Sequence, residues 1–175
     1  MEEIRTSPGG VRVFSVDKFK TARLSLLLAV PANGREMVEN LLLLLCARRG
    51  TEVYENLAAI NRRLDDLYAA TLSCRHFMDG DRQVLGFTAE YIEPDFLPDA
   101  TDTAAGVAEV LAQLLLHPKR EADGTLLRGT VAREKQDLVD SIRARRNDTR
   151  PYADTRCGEL LFAGEPNDPS LRWSD

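Results

Sequence analysis

With 175 residues, the chain can bury a core within one domain without disulfide or metal staples, and no second complete domain is required. Its net charge of -5 and pI near 5.2, with basic residues scattered through helical stretches, give no electrostatic case for nucleic acid. No apolar run approaches the roughly 20 residues that span a bilayer, and Met1-Glu2-Glu3-Ile4-Arg5 lacks the basic and apolar regions of a secretory signal. Cys46, Cys74 and Cys157 are widely spaced, with no CxxC pair, and suit a reduced compartment; the expectation is a cytoplasmic, bacterial-type soluble protein with no membrane segment.

After a turn signal at Pro8-Gly9-Gly10, residues 11–16 and 21–30 read as strands, the second alternating Ala22, Leu24, Leu26, Leu28 and Val30 on one face. The other face carries Arg23, Ser25, Leu27 and Ala29, the pattern of a sheet buried on one side and partly covered on the other. Pro31 to Gly34 ends the strand. Residues 35–49 then read as a helix whose continuous apolar centre, Leu41 to Leu45, predicts burial on most sides, with Gly50 as its C-cap. Residues 55–68 repeat Leu57, Ile60, Leu64 and Leu67 at helical spacing while Arg62, Arg63, Asp65 and Asp66 face out.

Residues 71–78 and 83–91 read as strands joined across Asp79-Gly80-Asp81, with Leu85, Phe87, Ala89 and Tyr91 sharing a face. Beyond the turn from Pro94 to Pro98, Thr101 or Asp102 can cap a helix carrying Val107, Val110, Leu111, Leu114 and Leu115, which stops before His117-Pro118. Lys119 to Gly124 is a polar loop. Residues 127–147 form a long charged helix with a thin stripe of Val131, Leu138, Val139 and Ile142, and Pro151 opens a last helix that ends before Gly164. Residues 165–175 have no period. The order predicts an α+β domain with a mainly antiparallel sheet backed by helices. The unclosed end reads as the N-terminal piece of a longer polypeptide.

The stretch from Leu41 through Cys46-Ala47-Arg48-Arg49 to Gly50-Thr51 follows strands and precedes a helix ending Leu64-Asp65-Asp66-Leu67-Tyr68-Ala69-Ala70. Together with Arg156-Cys157-Gly158-Glu159 and Gly164-Glu165-Pro166, this order resembles the M16 family of insulinase, pitrilysin and mitochondrial processing peptidase, and implies its metallohydrolase fold. Active members carry an inverted zinc motif, His-x-x-Glu-His, shortly before a Gly-Thr. Registered on Gly50-Thr51, that motif places Leu41 and Leu45 at the two histidines and Leu44 at the catalytic glutamate. Two imidazoles four residues apart grip Zn²⁺ from one helical face, and the carboxylate takes a proton from the metal-bound water; leucine does neither. The third ligand of the family has a counterpart in Glu134, which without neighbouring histidines reads as a solvated helix residue.

The resemblance is closest to the non-catalytic bacterial branch, including the elongation factor P 5-aminopentanol modification-associated group. It implies two related M16-like domains, with this chain as the first, an active M16 subunit or the second domain as partner, an unfolded peptide as possible ligand, and neither catalysis nor cofactor in this chain. Two other readings stand beside it: an active zinc peptidase whose ligands lie outside these residues, and an interaction module linked to elongation factor P modification.

The remaining candidates have bland readings. His76 and His117 are structural or surface residues before they are a shared metal site, and all three cysteines are packing residues before they are nucleophiles. Arg143, Arg145, Arg146 and Arg150 form a basic cluster diluted by Asp140 and Asp148, which reads as a solvated helix end.

Overall fold

The computed structural model describes residues 2–5, 9–16, 18–99, 101–145 and 149–164; the sequence expectations for Pro8, Arg146 and residues 165–175 lie outside these. Two strands, β1 (Glu2–Arg5) and β2 (Gly10–Val13), form an antiparallel pair of their own. Then come β3 (Thr21–Pro31), α1 (Gly34–Ala47), α2 (Leu57–Asp66), β4 (Thr71–Asp79), β5 (Arg82–Ile92), a 3₁₀ turn at Pro94–Phe96, α3 (Thr103–Leu116), α4 (Arg128–Arg145) and α5 (Thr149–Leu161). The fold is α+β, with an antiparallel three-stranded sheet in the order β3-β5-β4.

β5 is the central strand, paired with β3 on one edge and β4 on the other, and its inward residues apart from Gln83 include the apolar Leu85, Phe87 and Ala89. Leu26 and Cys74 both register with Phe87, and Leu24 and Leu72 both register with Ala89. Phe87 is fully buried, together with Ile60 and Leu64 of α2 and Val107, Val110, Leu111 and Leu114 of α3. α1 and α3 cover this face, and α4 lies on α1. On the opposite face Arg23 pairs with Glu90, and the hydroxyls of Ser25 and Thr88 are 2.8 Å apart. The inward alternation is as the sequence predicts, except that Leu28 is exposed.

Local chemistry explains the ends of the elements. The Asn56 side chain accepts from the Ala59 N–H and starts α2, while Asp102 does the same for Ala105 in α3. The β4–β5 hairpin turns on Gly80 and Asp81 alone, with Gly80 at φ +60, the left-handed backbone that glycine supplies at the first central position.

Four expectations are corrected. The strand placed at residues 11–16 stops at Val13 and pairs with β1, which has no alternation to reveal it; residues 14–16 are not strand. The Leu41–Leu45 run is buried on one side only: Leu44 is in the core, Leu41, Leu42 and Leu45 are half-buried, and Leu43 is exposed, because α1 covers the sheet with one face and meets α4 with another. Gly50 is not the C-cap, a position held by Arg48; its lack of a Cβ instead admits the Glu55 carbonyl, which would lie 2.7 Å from one. Cys157 is exposed and takes no part in packing.

Candidate functional site

α1, with Asn33 at its N-cap and Leu44 and Ala47 in the core, carries the positions of interest. Leu44 is 2% exposed and packs in the main apolar cluster. Leu41 and Leu45, three residues before and one after it, are half-buried. None of the three offers a lone pair to a metal or a group that can move a proton.

Glu134 departs from the sequence reading. It is not a solvated residue: it is 4% exposed, and its Oε1 accepts from the Arg49 Nε at 2.5 Å. Arg49 lies in the turn just after α1, so the interaction ties the end of that helix to the second turn of α4. Its Nη2 stands 3.8 Å from Asp137 Oδ2, one turn further along α4. The hydrogen bond to Glu134 pushes the Arg49 pKa further up, so the guanidinium is a permanent charge.

Two thiols border this pair. Burial, reinforced by the nearby Glu134 carboxylate, pushes the Cys46 thiol up to about 11. Burial also raises Cys74, which faces Arg48 from β4. Cys46, Arg49 and Glu134 line a cleft of about 380 Å³ between the end of α1, the start of α2 and α4, with Lys119, Leu127 and Arg133 on its rim. Both thiols are held above their ordinary pKa and are protonated at neutral pH, so neither is an activated nucleophile.

The histidines lie in separate settings. His76 is on β4, with its Nε2 3.0 Å from Gln83 Nε2, whereas His117 is the C-cap of α3 with its Nδ1 3.8 Å from Glu52. Among the described residues no group of three or more His, Cys, Asp or Glu side chains is placed to hold a metal ion. Of the basic cluster, Arg143 stands 3.8 Å from Asp140 on its own helix, and Arg150 is exposed on α5. No helix among the described residues is long and apolar enough to cross a membrane.

Sequence reasoning passed over the polar group at the other end of α1. Gln83, fully buried, donates to the Met37 carbonyl at 2.8 Å and accepts from Asn40 at 3.0 Å. A signal was present: Gln83 falls on the inward face of β5, in register with Val30 and Met78, where the alternation calls for an apolar residue.

The chain's likeness among known proteins is to an inactive metalloprotease-like protein. Over 168 residues it is 27% identical to a protein named probable inactive metalloprotease YmfF of Bacillus subtilis (strain 168), a match that takes in 95% of this chain and 39% of that protein. A crystal structure of a conserved protein from Enterococcus faecalis V583 superposes with a TM-score of 0.77 at 21% identity, over 88% of this chain and 36% of the other, and so shares the fold. The chain therefore spans well under half the length of either. No family model matches it.

Proposed function

We propose that this chain is a catalytically silent M16-type domain, the first of two in a longer protein, serving as a structural and substrate-handling partner of an active zinc peptidase subunit or of a second M16-like domain. The observation that carries the reading is the place of Leu44. At the position of the family's catalytic glutamate the chain has a leucine packed in its apolar core with Ile60 and Leu64, so the residue there serves the fold. The donor set does not fit zinc either: Leu41 and Leu45 cannot ligate, and Glu134 already faces a guanidinium. The likeness to a probable inactive metalloprotease supports the same conclusion.

Substrate handling is supported by the sheet. Among the described residues β3 and β4 pair only with β5, and each leaves an outer edge of backbone donors and acceptors to which an extended peptide can add as a strand. The test is elemental analysis of the purified chain after zinc incubation and desalting, beside a peptide-cleavage assay. The reading expects no stoichiometric zinc and no cleavage; stoichiometric zinc with chelator-sensitive cleavage would overturn it. For the peptide role, the longer protein with its active partner should bind an unfolded peptide more weakly once a proline interrupts β4, and undiminished binding would count against it.

A further inference from the structure

α4 is seated in an unusual way. Its apolar residues Val131, Leu138, Val139 and Ile142 are only half-buried, and the one fully buried residue among those described on the helix is the carboxylate Glu134. The most deeply buried point of α4 is therefore held by a charged side chain and not by an apolar one. A carboxylate withdrawn from water is unfavourable unless a cation and hydrogen-bond donors face it. Arg49 meets both requirements from the end of α1, with its Nε 2.5 Å from Glu134 Oε1 and a second nitrogen 3.8 Å from Asp137. The two carboxylates are three residues apart and share a face of α4, so one planar, always-charged guanidinium can serve both. Of the other cations on the cleft, Lys119 is engaged with Glu55 at 4.0 Å and Arg133 is exposed.

We infer that Arg49 acts toward Glu134 as a built-in counter-cation in place of a metal ion, and that this charge pair is the clasp that fastens α4 to the end of α1. The comparison with a metal rests on the reading of Glu134 as the counterpart of a zinc-ligand glutamate; the clasp rests on the geometry alone. The disagreement between this residue set and zinc has a physical basis. A buried carboxylate that has lost its metal needs another positive charge, and a side chain delivers one that cannot dissociate. The seat of α4, and with it the floor of the cleft, then depends on charge more than on apolar area.

The test uses the whole chain and reads its melting temperature together with hydrogen exchange at α4 amides. Arg49→Ala should lower the melting temperature by several degrees and speed exchange in α4 at least tenfold while β5 amides keep their protection. Arg49→Lys, which retains the charge, should recover most of both losses, and Arg49→Met combined with Glu134→Leu should do so as well, since it removes the buried charge altogether. Millimolar ethylguanidinium should also restore the Arg49→Ala protein, whereas neutral N-ethylurea should not. An Arg49→Ala protein that melts and exchanges like the parent would overturn the inference. So would equal losses in Arg49→Ala, Arg49→Lys and the double variant, or equal rescue by both additives, because each marks packing and not charge. Zinc content and cleavage of the unaltered chain judge the functional reading separately.

Discussion

The side-chain amide nitrogen of Gln83 lies 3.0 Å from Nε2 of His76 and 2.8 Å from the Met37 carbonyl, while the Gln83 oxygen accepts from Asn40. Both amide hydrogens are thereby committed, and the Met37 carbonyl prevents the amide from turning over. His76 Nε2 is then the acceptor of this contact, which places the proton of the neutral ring on Nδ1. Nitrogen-15 NMR of the neutral imidazole should show that tautomer. Gln83→Leu should cost about 1–3 kcal/mol despite filling the space with apolar atoms, because Asn40 and His76 lose their partner. Urea unfolding with an unchanged midpoint would refute this account.

Gly86 is required by a backbone approach. It lies in the middle of β5, where a Cβ would fall 2.0 Å from the carbonyl oxygen of Leu26, and the obstacle is main chain that cannot rotate away. Gly86→Ala should therefore destabilise the protein by about 3 kcal/mol or more, the upper end for overpacking. Chemical denaturation of the purified variant measures it, and a loss no larger than that of a surface glycine would show that the strands can move apart.

The turn after α2 stores strain that can be relieved. Tyr68 and Ala69 both have left-handed backbone, at φ 59 and 56. Thr101, whose backbone N–H donates to Asp99 Oδ1, and after it the neighbouring Tyr68 hold the Asp99 carboxyl below its usual range, and that proximity gives Tyr68 a reason to remain. Ala69 is exposed. Ala69→Gly should stabilise the fold by about 1 kcal/mol, seen as a rise in melting temperature, and Ala69→Val should lower it.

The raised Cys46 thiol links stability to alkaline pH. Its ordinary value of 9.0 rises to about 11 in the folded protein. Below pH 9 the thiol is protonated in both folded and unfolded chains and contributes no pH dependence. Between pH 9 and about 11 only the unfolded chain ionises, so stability should fall across that window and level off above it. Cys46→Ala should flatten this part of the curve. At pH 8 an alkylating reagent should modify the exposed Cys157 first and Cys46 last, as peptide mapping would record.

Much of the fold was legible because periodicity is a local property. Leu24 and Leu26 on β3, Phe87 and Ala89 on β5, and Ile60 and Leu64 on α2 announce their inward faces by spacing alone, and Gly80 announces the hairpin. The leucines at 41, 44 and 45 were equally plain, since the absence of a ligand side chain is a fact of the sequence. β1 was missed because Glu2–Arg5 has no alternation, and its strand state comes from pairing with β2.

What the sequence by itself determined is which faces are apolar, and hence the helices, the β4–β5 hairpin and the leucine run of α1. Only the tertiary structure decided the fate of the polar residues. Glu134 looks solvated in a charged helix and is buried because Arg49, 85 residues earlier, arrives beside it; Gln83 interrupts an apolar face and is accommodated because Met37, Asn40 and His76 converge on its amide. Apolar burial follows from a residue's own chemistry, whereas a buried charge or amide is tolerated only where partners distant in sequence complete its hydrogen bonds.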